Sequence, residues 1–267
     1  MRFLLKFFLL CLVLCLVMSC SQGPEGKNLK VAASATPHAE MLEFIKPDLK
    51  ERGINLIVIV TDDYQTPNRA LFNGDIDANF FQHLPFLQEQ VKEFEYPIVS
   101  FAKVELEPMG LYSKKIHHLA DLADLKENSV IAIPNDPTNE ARALLLMQSQ
   151  ALIELKDPND FLATPLSIKN NPKNLKFIEV DAAMLPRTLD DVDAALINTN
   201  YALQAGLNPL TDALLLEKAD SPYANILAIR SGEGNRADLI ALKNALTSEK
   251  MRTFIKDKYK GAVIPAF

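Results

Sequence analysis

Three short stretches of this 267-residue chain carry side chains whose types and spacing can do chemistry. NDPTNEARALLL (135–146) reads as a loop entering a helix, with Asp136 or Thr138 placed to cap it. Asn139 and Arg142 stand three residues apart and so share one face near its first turn. An arginine beside the free N–H groups of a helix start is a ready carboxylate receptor, planar and permanently charged. DANFFQHLPF (77–86) sets Phe80, Phe81, His83 and Phe86 within seven residues of one another, interleaved with Gln82 and preceded by Asn79. Such a mixture suits a pocket wall, where apolar area gives affinity and a few polar groups fix orientation; one of the three phenylalanines is expected in the core instead. The pair NTNYA (198–202) and SPYAN (221–225) supplies Asn198, Asn200, Tyr223 and Asn225, able to hydrogen-bond both an ammonium and a carboxylate.

Catalytic chemistry is poorly represented. Of the four histidines, His117 and His118 sit in a Lys/His-rich segment that reads as solvated, and His38 follows Thr36-Pro37 at a helix start, where capping or packing is the default. No HExxH, GxSxG, GxxxxGK[ST] or GxGxxG is present. The acidic run Asp190, Asp191, Val192, Asp193 lacks the glycine-bearing loop of an oxygen cage and leads straight into an apolar strand, so no metal is expected. Asp75/Asp77 and Asp191/Asp193 each project to one face of a strand start, the spacing a carboxylate-dyad hydrolase needs; polar residues at a turn explain them better. No cofactor is expected, and the chain reads as a binding protein and not an enzyme.

The elements that must position these groups alternate. Strand-like runs fall at 29–34, 54–60, 76–81, 98–104, 109–113, 129–134, 176–180, 193–198 and 224–230. Helical patterns lie between them at 38–52, 67–73, 85–94, 138–151, 186–189 and 199–205, with a last one over 237–259. The fold class is α/β. LKVAASATPHAE (29–40) and SVIAIPNDPTNEARALLL (129–146) share a strand–loop–helix plan, and GDIDANFFQH (74–83) echoes DDVDAALINTN (190–200). Two similar halves with polar residues at their strand ends imply a ligand cleft between two lobes.

Composition sets the context. At 48% hydrophobic and 23% charged the chain is an ordinary globular protein, and its net charge of −6 with no long basic run excludes nucleic acid as a partner. All three cysteines (Cys11, Cys15, Cys20) lie in the first 20 residues. There Arg2 and Lys6 precede an apolar stretch from Phe7 to Met18, too short for a comfortable permanent span and shaped like a secretory signal. Val17-Met18-Ser19-Cys20 resembles a bacterial lipobox, which makes residues 1–19 a signal peptide, Cys20 the acylated anchor and 20–28 a tether. Loss of the leader removes two positive charges, −6 − 2 = −8, and leaves no cysteine for disulfides, catalysis or metal. Ser21 after the anchor favours the outer membrane under the sorting rule of many double-membraned bacteria.

ATPHAE (35–40), DANFFQH (77–83), EPMGLYSKKI (107–116), IAIPNDPTN (131–139), LDDVDAALINTNYALQAGLNP (189–209), DSPYANI (220–226) and KYKGAVIPAF (258–267) together resemble the NlpA/MetQ family, the lipoprotein substrate-binding proteins of methionine ABC importers. The resemblance implies a two-lobed periplasmic-binding-protein fold of type II. Lobe one would be residues 29–108 plus 226–267, lobe two 109–225, with crossings near 107–112 and 223–227. It implies methionine as ligand, L-Met first, with D-Met or a methionine dipeptide as variants. Tyr64, Phe80, Phe81, His83 and Phe86 would form the wall for the thioether. Arg142 with help from Asn139 would meet the carboxylate; Asn200 and Asn225 would take the ammonium and remaining polar contacts, with Asn198, Glu107 and Tyr223 nearby. Partners would be an ABC permease with its ATPase subunit and the membrane holding the lipid anchor, the protein acting as a monomer on the periplasmic or surface side of the cell envelope. Glu140 and Ala141 stand where the family has paired glycines, and Gln65 and Thr66 depart from its usual pattern. An adhesin retaining the fold is the alternative.

Overall fold

In a computed structural model of the chain, residues 26–116, 125–219 and 222–267 are described. The leader, Cys20 and the His117–His118 pair lie outside them.

The first strand, β1 (Lys27–Ala33), starts two residues before the expected Leu29, and a π-helical turn over Ala35–Ala39 leads into α1 (Glu40–Glu51). There follow β2 (Ile54–Val60), α2 (Thr66–Asn73), β3 (Ala78–His83), α3 (Leu84–Phe94) and β4 (Ile98–Leu106). After a three-residue crossing come β5 (Gly110–Tyr112), β6 (Val130–Pro134), α4 (Pro137–Ser149), β7 (Glu154–Leu155), β8 (Ile168–Asn170) and β9 (Lys176–Val180). Next are α5 (Leu185–Thr188), β10 (Ala194–Ile197), α6 (Thr199–Gln204), α7 (Pro209–Asp212) and β11 (Ala213–Leu216). The chain then crosses back into β12 (Ala224–Arg230), α8 (Ala237–Leu246), α9 (Glu249–Tyr259) and β13 (Ile264–Pro265). The single last helix read from the sequence is two. Ser248 breaks it, its side chain accepting the Met251 N–H at 3.1 Å as the cap of a new helix.

Two sheets result, ordered β13-β4-β12-β3-β1-β2 and β11-β5-β10-β6-β9, beside a small β7-β8 ladder. They share a plan. In each, the first strand of the half (β1, β6) lies between its second (β2, β9) and third (β3, β10), all parallel. The strand arriving from the other half (β12, β5) then joins antiparallel to the third. Ala224 and Asn225, which the expected division gives to the second lobe, pair in the first sheet with Leu106 and Glu105.

Both faces of the first sheet are covered. Leu29, Val31, Phe80, Leu227 and Ile229 pack on one side with Met41, Leu42 and Ile45 of α1 and Leu239 and Leu242 of α8. Ala32, Ile226 and Ala228 pack on the other with Leu71 of α2 and Leu87 of α3. Burial on both faces accounts for the near-continuous apolar runs of the parallel strands. Proline in the first turn of α2, α3, α4, α5 and α7 fixes where those helices begin, because the missing N–H there has no helical partner to lose.

Candidate functional site

A small, tightly closed cavity lies where the two halves face each other. Tyr64, Phe81, Gln82, His83 and Phe86 line it from the first half, with Asn225 of β12 and Glu107 of the crossing. Asn139, Arg142, Asn198, Thr199 and Asn200 line it from the second. The halves are tied across it: Tyr64 Oη donates to Asn200 Oδ1 at 2.6 Å, and Tyr201 Oη to the Asp62 carbonyl at 3.1 Å.

One end is aromatic. The ring centroids of Tyr64, Phe81 and Phe86 stand 5.9 to 6.0 Å apart, a three-sided apolar wall. Phe80 is not part of it. Strand alternation turns Phe80 to the opposite face, where it is fully buried in the first core and meets the edge of the His38 ring at 4.5 Å. Gln82, which the sequence reading placed between the rings without a role, is fixed by amide bonds to Asn68 (2.8 and 2.7 Å) and Asn79 (2.9 Å).

The other end is polar, and its donor and acceptor roles follow from one backbone group. His83 caps α3: its Nδ1 accepts the Phe86 N–H at 3.1 Å, so the ring proton must sit on Nε2. Nε2–H therefore donates to Asn139 Oδ1 at 3.1 Å. Burial, then the Arg142 charge, pushes the His83 pKa down to about 3, so the ring is neutral. Asn139 Nδ2 donates to both oxygens of the cap residue Asp136, at 3.0 and 2.9 Å. Asn139 Oδ1 also accepts Asn198 Nδ2 at 2.8 Å. That leaves Asn198 Oδ1 buried with no partner among the described residues, an acceptor by elimination. With Oδ1 accepting from Tyr64, Asn200 is left with Nδ2 as a buried donor without a partner among them.

This network corrects the reading of Asn139. Its amide is used up holding Asp136, His83 and Asn198, so it organises the site and has nothing left for a carboxylate. Arg142 is where it was expected, but in company the sequence did not disclose. Nε lies 3.2 Å from both oxygens of Glu217, and Nη2 donates to Glu217 Oε2 at 2.5 Å and to the Glu107 carbonyl at 2.7 Å. Its remaining nitrogen, Nη1, makes no hydrogen bond to a described residue, and Arg142 borders the cavity. Tyr223 is not on the cavity wall: its ring lies under the Arg142 guanidinium at 4.5 Å and against His83 at 5.0 Å. Asn225 Nδ2 donates to Glu107 Oε1 at 2.9 Å, and burial with Glu105 alongside pushes the Glu107 carboxyl well above the usual range.

One carboxylate of each pair in the hydrolase reading is spent elsewhere. Asp77 pairs with Arg236 at 2.8 Å, and Asp193 accepts the Val130 N–H at 2.8 Å and Lys115 at 3.0 Å.

The architecture has known counterparts. A nutrient binding protein of Burkholderia cenocepacia, solved bound to methionine, superposes with a TM-score of 0.86 at 46% identity, covering 90% of this chain and all of that one. The methionine-binding lipoprotein MetQ of Bacillus subtilis is 41% identical over 92% of this chain and 91% of its own length. The D-methionine-binding lipoprotein MetQ of Salmonella typhi is 40% identical over 92% of this chain and 91% of its own. The fold is the two-lobed α/β architecture of periplasmic binding proteins. The NlpA lipoprotein family model matches residues 29–267, nearly the whole of the described chain, and the chain belongs to that family.

Proposed function

We propose that the protein captures free methionine in this cavity and delivers it to an ABC-type importer. The observation that carries the reading is a set of three groups at the polar end that have no hydrogen-bond partner among the described residues. Asn198 Oδ1 is an acceptor for an ammonium, and Asn200 Nδ2 with Arg142 Nη1 are donors for a carboxylate. A zwitterion satisfies all three, and the Tyr64–Phe81–Phe86 wall receives a thioether, whose contacts with rings are worth about 0.3–1.5 kcal/mol each. Ligand groups from both halves meet the same small molecule, so binding favours the state in which the lobes are closed.

As a member of a lipoprotein family the chain is a cell-envelope lipoprotein. The finer reading is that Cys20 bears the acyl anchor, that lobe one comprises 29–108 with 226–267 and lobe two 109–225 apart from Ala224 and Asn225, which pair in the first sheet, and that a permease with its ATPase subunit receives the loaded monomer. The names of the relatives favour methionine binding over catalysis or adhesion. Calorimetric titration of the purified protein with L-methionine, D-methionine and methionine dipeptides tests the proposal. Saturable one-to-one binding of a methionine stereoisomer is expected; heat from none of them refutes it.

A further inference from the structure

Beneath the cavity floor four side chains from three separate parts of the chain converge: His38, Glu105, Glu107 and Asn225. His38 and Glu105 are fully buried, with Glu107 at 5% and Asn225 at 7% exposure. His38 Nε2 is 3.1 Å from Glu105 Oε1 and 3.1 Å from Glu107 Oε1, and one donor atom from each of the three lies within 4.8 Å of the others. The Asn225 amide closes the group, 3.1 Å from His38 Nε2 and 2.9 Å from Glu107 Oε1.

The hydrogen bonding of this cluster is incomplete in a specific way. Both oxygens of Glu105 are buried and receive no aligned hydrogen bond from a described residue. Two buried carboxyl groups stand side by side here, and the Arg142 guanidinium, which also borders the cavity, is already paired with Glu217. His38 is held from behind, Nδ1 lying 2.5 Å from Ser34 Oγ. Donation of Nδ1–H to that hydroxyl aims the Nε2 lone pair into the carboxylates, the arrangement in which a second partner orients a metal-ligating histidine.

We propose that His38, Glu105, Glu107 and Asn225 bind one divalent transition-metal ion of the zinc class. One imidazole nitrogen with carboxylate oxygens suits zinc, and a tetrahedral site with ligands about 2.0–2.2 Å from the ion has edges of about 3.3–3.6 Å. Four of the six edges, at 2.9 to 3.1 Å, reach that size with small outward shifts, and the Glu105–Glu107 edge lies within 4.8 Å. Turning the Asn225 amide by half a rotation brings Oδ1 inward as the fourth ligand, since its oxygen and nitrogen occupy the same volume. An M²⁺ ion neutralises the two carboxylates and gives Glu105 the partner it lacks. Glu107 and Asn225 border the cavity, so the ion has an entry path from it.

The test uses full-length protein in detergent, stripped with EDTA and dialysed, then titrated with Zn²⁺ by calorimetry and with Co²⁺ by visible absorption. One Zn²⁺ per chain and Co²⁺ bands of tetrahedral intensity are expected. Glu105→Gln should lower Zn²⁺ affinity at least a hundred-fold, and Ser34→Ala ten- to a hundred-fold by freeing the imidazole. A double His117→Ala/His118→Ala variant should leave both signals unchanged. Absence of stoichiometric binding overturns the proposal. So does binding that survives both Glu105→Gln and Ser34→Ala, or that vanishes with His117 and His118. If Glu105→Gln fails to fold, Ser34→Ala and the Co²⁺ spectrum still decide. Methionine titrated into the stripped protein reads the transport function separately, so either proposal can fail alone.

Discussion

Arg142 and Glu217 form a fork-to-fork ion pair, 2.5 Å at its shortest, with only 4% and 13% of their side chains exposed. Glu217 follows β11 on the return crossing between the halves and also accepts the Met109 N–H at 3.2 Å; Met109 ends the outward crossing. The guanidinium is thus held to both crossings at once, with Nη1 making no hydrogen bond to a described residue.

Removing either partner should have different consequences. Arg142→Ala deletes the carboxylate donor and takes from the mostly buried Glu217 its charged partner, so methionine affinity should fall at least ten-fold and stability by about 3 kcal/mol. Glu217→Gln keeps the shape and one acceptor, so stability should fall by about 1 kcal/mol while affinity still drops as Nη1 loses its aim. Calorimetry and urea denaturation on the same samples separate the two.

Asn198 should be the ammonium acceptor. Asn198→Ala is expected to weaken methionine by about 1–2 kcal/mol, the worth of a charge-assisted hydrogen bond, yet to leave the des-amino analogue 4-(methylthio)butanoate nearly unaffected. The ratio of the two affinities in wild type and variant is the readout. An unchanged ratio assigns the ammonium elsewhere.

Neighbouring phenylalanines should behave oppositely. Phe81→Leu removes a ring from the wall and should narrow the preference for methionine over norleucine with little change in stability. Phe80→Ala opens a hole in the first core, costing about 3–5 kcal/mol, while the affinity of whatever protein stays folded is unchanged. Melting curves and competition titrations check both.

Glu140 gives a pH prediction. Its side chain is buried near the start of α4 with Oε1 unpartnered, and burial, reinforced by Glu179 and Asp136, pushes its pKa from 4.5 up to about 7. Between those values the folded chain holds a proton the unfolded chain has lost, so stability declines as pH rises through the window and the loss is complete above about 7. Glu140→Gln should therefore match wild type below pH 4.5 and exceed it at pH 8 by about 1 kcal/mol, measured by urea denaturation at both values.

The sequence made some of this legible and hid the rest for physical reasons. Strand and helix positions follow from apolar runs and first-turn prolines, which are local signals. Phe80 and Phe81 differ only in strand parity, and the alternation from Ala78 onward distinguishes them once the strand is placed. Ser248 followed by Glu249 is a cap signal that a long helical pattern outweighed. Glu217 has no motif and lies 75 residues from its arginine. His38 and Glu105 are likewise far apart along the chain and meet only because β12 brings Asn225 beside them. Asn139 sits in the right place, but whether an amide is free or spent depends on three partners that no spacing encodes.

The position of β12 between β3 and β4 also fixes an order of assembly. All strands of the second sheet lie within residues 110–216, so that half is complete in covalent terms as soon as those residues have left the ribosome or the export channel. The first sheet cannot close then. Until Ala224–Arg230 arrives, β3 and β4 have no strand between them, and each offers a row of unpaired backbone groups to whatever is near. The half that is begun first is therefore finished last, and a chain ending before residue 224 would leave it open at its centre.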